Sequence, residues 1–276
     1  MTRAELLRWA ARRLDLAAVP DAARDARVLL RWAAGLSPAR FTASLTEVAD
    51  GSERERFEAA VARREARVPV SHIVGERLFW GRPFHVSGAV LDPRPETETL
   101  IEVAMKGGPA SRVLDLGVGS GCILLTLLAE WPCATGLGVD ASEAALAVAA
   151  RNAADLGLAD RARLQSGDWL IGIDSRFDLI VSNPPYLSDA DMLHLSPELR
   201  NEPLGALHGG ADGLAAYRRI AAGLRAVLAP FGRVLLEVGA GQADDVAALL
   251  RAEGISRVEV ALDMDGRDRV VSGWRD

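Results

Sequence analysis

Arg112-Val113-Leu114-Asp115-Leu116-Gly117-Val118-Gly119-Ser120-Gly121 is the stretch that decides the fold of this chain. The apolar run Arg112 to Leu116 predicts a short buried strand, and the alternating glycines predict a sharp turn into a helix from Cys122 to Trp131. Outward from there the pattern repeats. Strands are expected at Ala134–Val139, Arg161–Gln165, Phe177–Val181, Arg233–Val238, Arg257–Leu262 and Arg269–Ser272. Helices are expected at Ser142–Leu156, Gly213–Leu228 and Ala243–Glu253. Alternating β and α segments predict an α/β, doubly wound, mostly parallel seven-stranded sheet with helices on both faces. The last two strands lack a helix between them, so the final one is expected to enter antiparallel.

Upstream, residues 1 to about 68 read as helices: Leu6, Leu7, Ala10 and Leu14 recur at helical spacing, as do Ala22, Ala26, Leu29, Leu30 and Ala33. Ser37-Pro38 predicts a capped helix start, Ser52 with Glu55 a capping box, and Pro69 the end of the bundle. Leu78-Phe79-Trp80, a turn at Gly81, then Phe84-His85-Val86 predict a β-hairpin. Three regions are therefore expected: a helical domain over 1–69, a hairpin linker over 70–92 and an α/β domain over 93–276.

The chain has 276 residues, 49% of them apolar and 25% charged, an ordinary globular composition. Its 32 basic and 38 acidic residues leave a net charge of −6, which argues against gripping long nucleic acid through the whole surface. Only Lys106 among the cations is a lysine, a composition bias with no mechanistic weight. Two cysteines, Cys122 and Cys133, and four scattered histidines offer no disulfide framework and no metal-ligand spacing. With no signal peptide or membrane-length apolar run, the expectation is a cytoplasmic protein that binds neither membrane nor DNA.

The glycines at 117, 119 and 121 depart from the G-x-G-x-x-G dinucleotide spacing, and Asp140 ends the second strand where an acid suits ribose hydroxyls. S-adenosylmethionine has a ribose and an adenine but no pyrophosphate, so this tighter loop suits it. After the strand ending at Ser182 comes Asn183-Pro184-Pro185-Tyr186. The prolines stiffen the loop and leave the Pro184 carbonyl free, and Asn183 offers a second acceptor. Two acceptors can hold both hydrogens of a planar NH2 while Tyr186 packs on its flat face. That arrangement suits methyl transfer to a weakly nucleophilic planar nitrogen, where positioning supplies most of the gain.

At these residues the sequence resembles the peptide chain release factor glutamine methyltransferases, the HemK/PrmC family. The resemblance is carried by Asn183-Pro184-Pro185-Tyr186, Gly75-Glu76-Arg77-Leu78-Phe79-Trp80-Gly81 and Pro93-Arg94-Pro95-Glu96-Thr97-Glu98. Asp168-Trp169, Asn201-Glu202-Pro203, Gly209-Gly210-Ala211-Asp212-Gly213 and Gly266-Arg267-Asp268-Arg269-Val270-Val271 extend it over nearly the whole chain. It implies a Rossmann-like S-adenosylmethionine-dependent fold that methylates the N5 amide of the glutamine in the Gly-Gly-Gln loop of class 1 release factors, releasing S-adenosylhomocysteine. It further implies that Gly117, Val118, Gly119, Ser120 and Gly121 line the cofactor, Asp140 holds its ribose, and Asp168 and Trp169 border its adenine. Asn183 to Tyr186 would bind the target amide, with Asn183 also touching the cofactor, and Arg94 to Thr97 would close the pocket. The helical domain and hairpin would dock the release factor, one copy of the enzyme sufficing. Val118, Cys122 and Asp92 depart from the family's usual residues, and Glu96, Glu98 and Glu202 receive no role. An adenine-N6 nucleic-acid methyltransferase would meet the same planar NH2, but the net acidity opposes it. A ribosomal-protein glutamine methyltransferase shares the chemistry and would differ in the N-terminal region. A nicotinamide-dependent dehydrogenase is disfavoured by the glycine spacing and the Asn-Pro-Pro-Tyr loop, and a non-catalytic cofactor-binding module would need that loop occluded.

Overall fold

A computed structural model describes residues 1–276. The N-terminal helices are α1 (Arg3–Leu16), α2 (Ala22–Ala34), α3 (Pro38–Ala43), α4 (Gly51–Glu65) and α5 (Val70–Val74). A hairpin of β1 (Glu76–Phe79) and β2 (Arg82–His85) follows, then α6 (Glu98–Lys106). The α/β region runs β3 (Arg112–Leu116), α7 (Cys122–Glu130), β4 (Thr135–Asp140), α8 (Glu143–Asp155), β5 (Ala162–Ser166) and β6 (Phe177–Ser182). It closes with α9 (Asp189–Met192), α10 (Ala215–Val227), β7 (Leu228–Glu237), α11 (Ala243–Ala252), β8 (Ser256–Leu262) and β9 (Asp268–Trp274). No helix is long and apolar enough to cross a membrane.

The chain divides into two compact units, Met1–Glu76 with Ser196–Asn201, and Arg77–Leu195 with Glu202–Asp276. The first has its own core of Leu6, Leu14, Leu29, Leu30, Phe41, Phe57 and Val61. Arg3 is buried there with both carboxylate oxygens of Glu53 at 2.7 Å, so its charge is paired inside the bundle. Ser37 caps α3 with Pro38 in its first turn, as the sequence predicts. The expected capping box at Ser52 and Glu55 does not form. Asp50 caps α4, accepting from Glu53 N–H at 2.8 Å, while Ser52 donates to Asp50. A carboxylate accepts more strongly than a hydroxyl, so it takes the free amide first. Val70–Val74, inside the expected linker, forms the short helix α5.

In the second unit seven strands lie in the order β5-β4-β3-β6-β7-β9-β8. The pairs β3·β4, β4·β5, β3·β6 and β6·β7 are parallel, and β9 is antiparallel to both β7 and β8. Strand alternation builds the two cores. Val113 packs on one face with Leu124, Leu125 and Leu128 of α7, and Leu114 and Leu116 pack on the other with Tyr217, Ile220 and Leu224 of α10. The hairpin turns at Trp80 (φ 48°) and Gly81 (φ 72°), a pair of left-handed residues that matches the twist of its strands.

Candidate active site

The sheet order reverses between β3 and β6, and the loops leaving the carboxyl ends of β3, β4 and β6 enclose a cavity of about 370 Å³ there. That place follows from topology, because neighbouring connections leave the sheet to opposite faces at a switch point and open a crevice. Gly117, Val118, Gly119, Ser120, Asp140, Asp168, Trp169, Asn183 and Pro185 line it. Arg94 and Thr97 line it too. Gly121, Pro184 and Tyr186 do not reach the cavity wall. Gly121 has φ 81° at the start of α7, where an added Cβ would sit 2.9 Å from Leu125 Cδ1.

Backbone bonds to neighbouring elements set the glycine loop. Gly117 and Val118 N–H both donate to the Val139 carbonyl, at 2.8 and 3.0 Å. The Ser120 carbonyl accepts from Asn152 Nδ2 at 2.8 Å, and Asn152 also holds both backbone groups of His85. Asp140 accepts Gly119 N–H on one oxygen and Ser142 N–H on the other, each at 2.9 Å. Ser142, not Asp140, is the residue that caps α8. Each Asp140 oxygen therefore keeps acceptor capacity beyond the loop it ties down. Trp169 sits at φ 54° with its ring over Gly117, and Asp168 pairs with Arg219.

The Asn183–Tyr186 loop is braced from three sides. Asn183 Nδ2 donates to Thr97 Oγ1 at 3.2 Å. Gln242 Nε2 donates to the Tyr186 carbonyl at 3.0 Å, and Gln242 Oε1 accepts Gly239 N–H at 3.1 Å. Gly209 and Gly213 pack on the loop's back, where added Cβ atoms would lie 2.7 Å from the Pro185 carbonyl and 2.3 Å from the Tyr186 carbonyl. No donor of the chain bonds Asn183 Oδ1 or the Pro184 carbonyl. Burial, with Glu237 nearby, pushes the Tyr186 phenol up to about 12, so it stays neutral at physiological pH.

Two of the glutamates without a role at the sequence level have structural work. Glu98 accepts Trp80 N–H at 2.7 Å, and buried Glu202 accepts Asp92 N–H at 3.0 Å while pairing with Arg94. The unusual Asp92 thus faces Arg77 at 3.7 Å as well as the Glu202 loop. Glu237 and Gln242 went unremarked in the sequence. For Glu237 a signal exists, an acid inside the apolar run Val234-Leu235-Leu236-Glu237-Val238. Gln242 leaves none, because it acts on a loop 56 residues away.

The fold has solved relatives. A methyltransferase from Pyrococcus furiosus superposes with a TM-score of 0.55 at 16% identity, covering 79% of this chain and 97% of that one. The human Mettl16 catalytic domain, solved with an RNA hairpin, gives 0.56 at 15% identity, covering 78% and 81%. Fold and cavity together define a Rossmann-like α/β protein with a ligand crevice at its switch point. Residues 5–75 match the PrmC N-terminal domain and 87–204 the methyltransferase small domain. Release factor glutamine methyltransferases of Cereibacter sphaeroides and Rhodospirillum rubrum are 55% and 48% identical, over 99% and 98% of this chain and 98% and 84% of theirs. The chain belongs to the release factor glutamine methyltransferase family.

Proposed function

We propose that this protein transfers the methyl group of S-adenosylmethionine to the N5 side-chain amide of the glutamine in the Gly-Gly-Gln motif of class 1 release factors, modulating translation termination in the cytoplasm. The residues present fit the cofactor. Asp140 retains acceptor capacity for two ribose hydroxyls, and Val139, Ala141 and Trp169 supply apolar walls for a flat adenine. Gly119, open to space apart from the Gly117 carbonyl at 3.9 Å, leaves room for close approach of a ligand. The bound cofactor supplies an electrophilic methyl group.

What carries this reading is the pair of acceptors, Asn183 Oδ1 and the Pro184 carbonyl, that the chain itself leaves without donors. An amide NH2 offers two hydrogens in one plane, so two such acceptors fix both its position and its tilt. Its nitrogen shares its lone pair with the carbonyl, and the contribution of the site is orientation and stabilisation of the positive charge that grows on attack. Neutral Tyr186 supplies a flat surface and no base. None is needed before attack, since the nitrogen gives up its proton to water once alkylated. The cavity is complete within one chain, which suits a monomeric enzyme recognising a protein loop without basic surface for DNA.

The test is a methyl-transfer assay with purified release factor, the same factor with its Gly-Gly-Gln glutamine replaced by alanine, a ribosomal-protein substrate and unmethylated DNA. Label is expected in the intact release factor alone. Label in DNA, or in the alanine-substituted factor at the intact rate, overturns the proposal.

A further inference from the structure

The hairpin of β1 and β2 forms a sheet of its own, apart from the seven strands that frame the cavity. Phe79 and Phe84 are buried beneath it, their rings edge to face with centroids 6.1 Å apart. Three polar anchors then tie it to the α/β region: Glu98 to Trp80 N–H, Glu130 to Arg82, and Asn152 to His85. Of the three, Asn152 alone also bonds the glycine loop, so one side chain of α8 stands between the hairpin and the cavity wall.

Asn152 is 1% exposed, and its amide is used in full. Oδ1 accepts His85 N–H at 2.7 Å, while Nδ2, with two hydrogens to give, donates to the His85 carbonyl at 2.9 Å and the Ser120 carbonyl at 2.8 Å. All three partners are main-chain groups. A main-chain N–H only donates and a carbonyl only accepts, so the amide stands one way round. Ser120 needs such a hold. It lies between Gly119 at φ 52° and Gly121 at φ 81°, and glycine on both sides lets a peptide unit turn at little cost. The N–H groups of Gly117, Val118 and Gly119 are fixed from β4, and the Ser120 carbonyl is fixed from α8. Ala145, Val148 and Asn152 follow one another at helical spacing on one face of α8. Ala145 lines the cavity, and with Val148 it packs on Val86 and Val90, through which β2 continues to the cavity wall.

We infer that Asn152 is a positioning residue that sets the cofactor loop and the hairpin with a single amide, so that S-adenosylmethionine binding and the order of β2 depend on one another. The link acts on the loop that the proposed function assigns to the cofactor and rests on that assignment. Occupancy of the loop restrains the Ser120 peptide and, through Asn152, the backbone of His85. A hairpin pulled away takes two of the three partners from the amide and frees it to turn from Ser120. Linkage makes the two effects equal in size.

Two variants of the full-length enzyme part the bonds. Asn152→Asp keeps the shape and the acceptor for His85 N–H but brings no amide hydrogens to the two carbonyls. Asn152→Ala removes all three bonds while favouring the helix. Both are expected to raise the Kd for S-adenosylmethionine at least ten-fold by calorimetry, with kcat on release factor at saturating cofactor within about three-fold of wild type. Hydrogen exchange at His85 N–H should be slow in wild type and Asn152→Asp, and at least ten-fold faster in Asn152→Ala. Adding S-adenosylmethionine should slow it roughly three-fold or more in wild type and leave it unchanged in Asn152→Asp. Cofactor affinity within about two-fold of wild type in the folded variants, a loss confined to kcat, or exchange at His85 that ignores the cofactor in wild type overturns the link. Should neither variant fold, wild-type exchange with and without cofactor decides alone. If wild type binds no S-adenosylmethionine, the cofactor reading fails, while His85 exchange in Asn152→Ala still reads the anchor by itself.

Discussion

Asp115 is the penultimate residue of β3, and its carboxyl lies buried. It accepts Leu124 N–H at 3.2 Å on one oxygen and nothing on the other, and burial pushes it up to about 7. Burial does the same to Glu237, also to about 7. Both carboxyls keep a proton in the folded chain at pH values where the unfolded chain, with acids near 4, has lost it. Their contribution to stability is therefore largest near pH 4 and declines as pH rises to about 7, then levels off. Wild type should melt at lower temperature at pH 7.5 than at pH 5.5, and Asp115→Asn should flatten that slope; an unchanged slope in the variant refutes the assignment. At the rim the expectations divide by role. Asn183→Ala removes one of the two acceptors proposed for the target amide and should lower kcat by roughly two orders of magnitude. Asp140→Ala should instead weaken S-adenosylmethionine first, seen by calorimetry as at least ten-fold in Kd with release-factor affinity little changed. The places of Asn183 and Asp140 on the cavity wall were legible because each stands at a strand end next to a turn. Glu237 was not, because an acid in an apolar strand has many explanations.

At the scale of elements, the Asn183–Tyr186 loop owes its shape to segments that carry no chemistry. Gly213 has φ 76°, and a methyl group on it would lie 2.3 Å from the Tyr186 carbonyl. Gly213→Ala therefore adds a left-handed strain of about 1–2 kcal/mol to a backbone clash. Turnover should fall at least ten-fold through displacement of the loop, while S-adenosylmethionine binds nearly as in wild type. Equal loss of both would place the damage in the whole cavity. Most strands and helices of the sheet domain lay within a residue or two of their sequence expectations, because period 2 and period 3.6 are local signals, but β7 begins at Leu228, five residues before the expected Arg233. The start of α4 was misplaced for an equally local reason. Asp50 and Ser52 are both competent caps by residue type, and only the path of the backbone chooses between them.

The molecule as a whole contains one join that no local pattern announces. Ser196–Asn201 belongs with the N-terminal helices, and Glu198 accepts from Arg64 at 3.1 Å and Arg67 at 2.8 Å. Arg64 is buried and keeps Asp25 at 2.7 Å as a second partner. Glu198→Ala should cost about 1–2 kcal/mol in urea unfolding, less than a fully buried pair because Glu198 is partly exposed and Asp25 remains. No change at all would mean that the segment is held by its backbone alone. By itself, the sequence determined the doubly wound sheet, the helical N-terminal region and the family, since hydrophobic period and contiguous motifs are written within a few residues. Tertiary structure alone decided what braces the Asn183–Tyr186 loop. Thr97 accepts from Asn183 across 86 positions of chain, and Gln242 donates to the Tyr186 carbonyl across 56. Such a brace is a property of groups meeting in space, and spacing along a chain does not encode it.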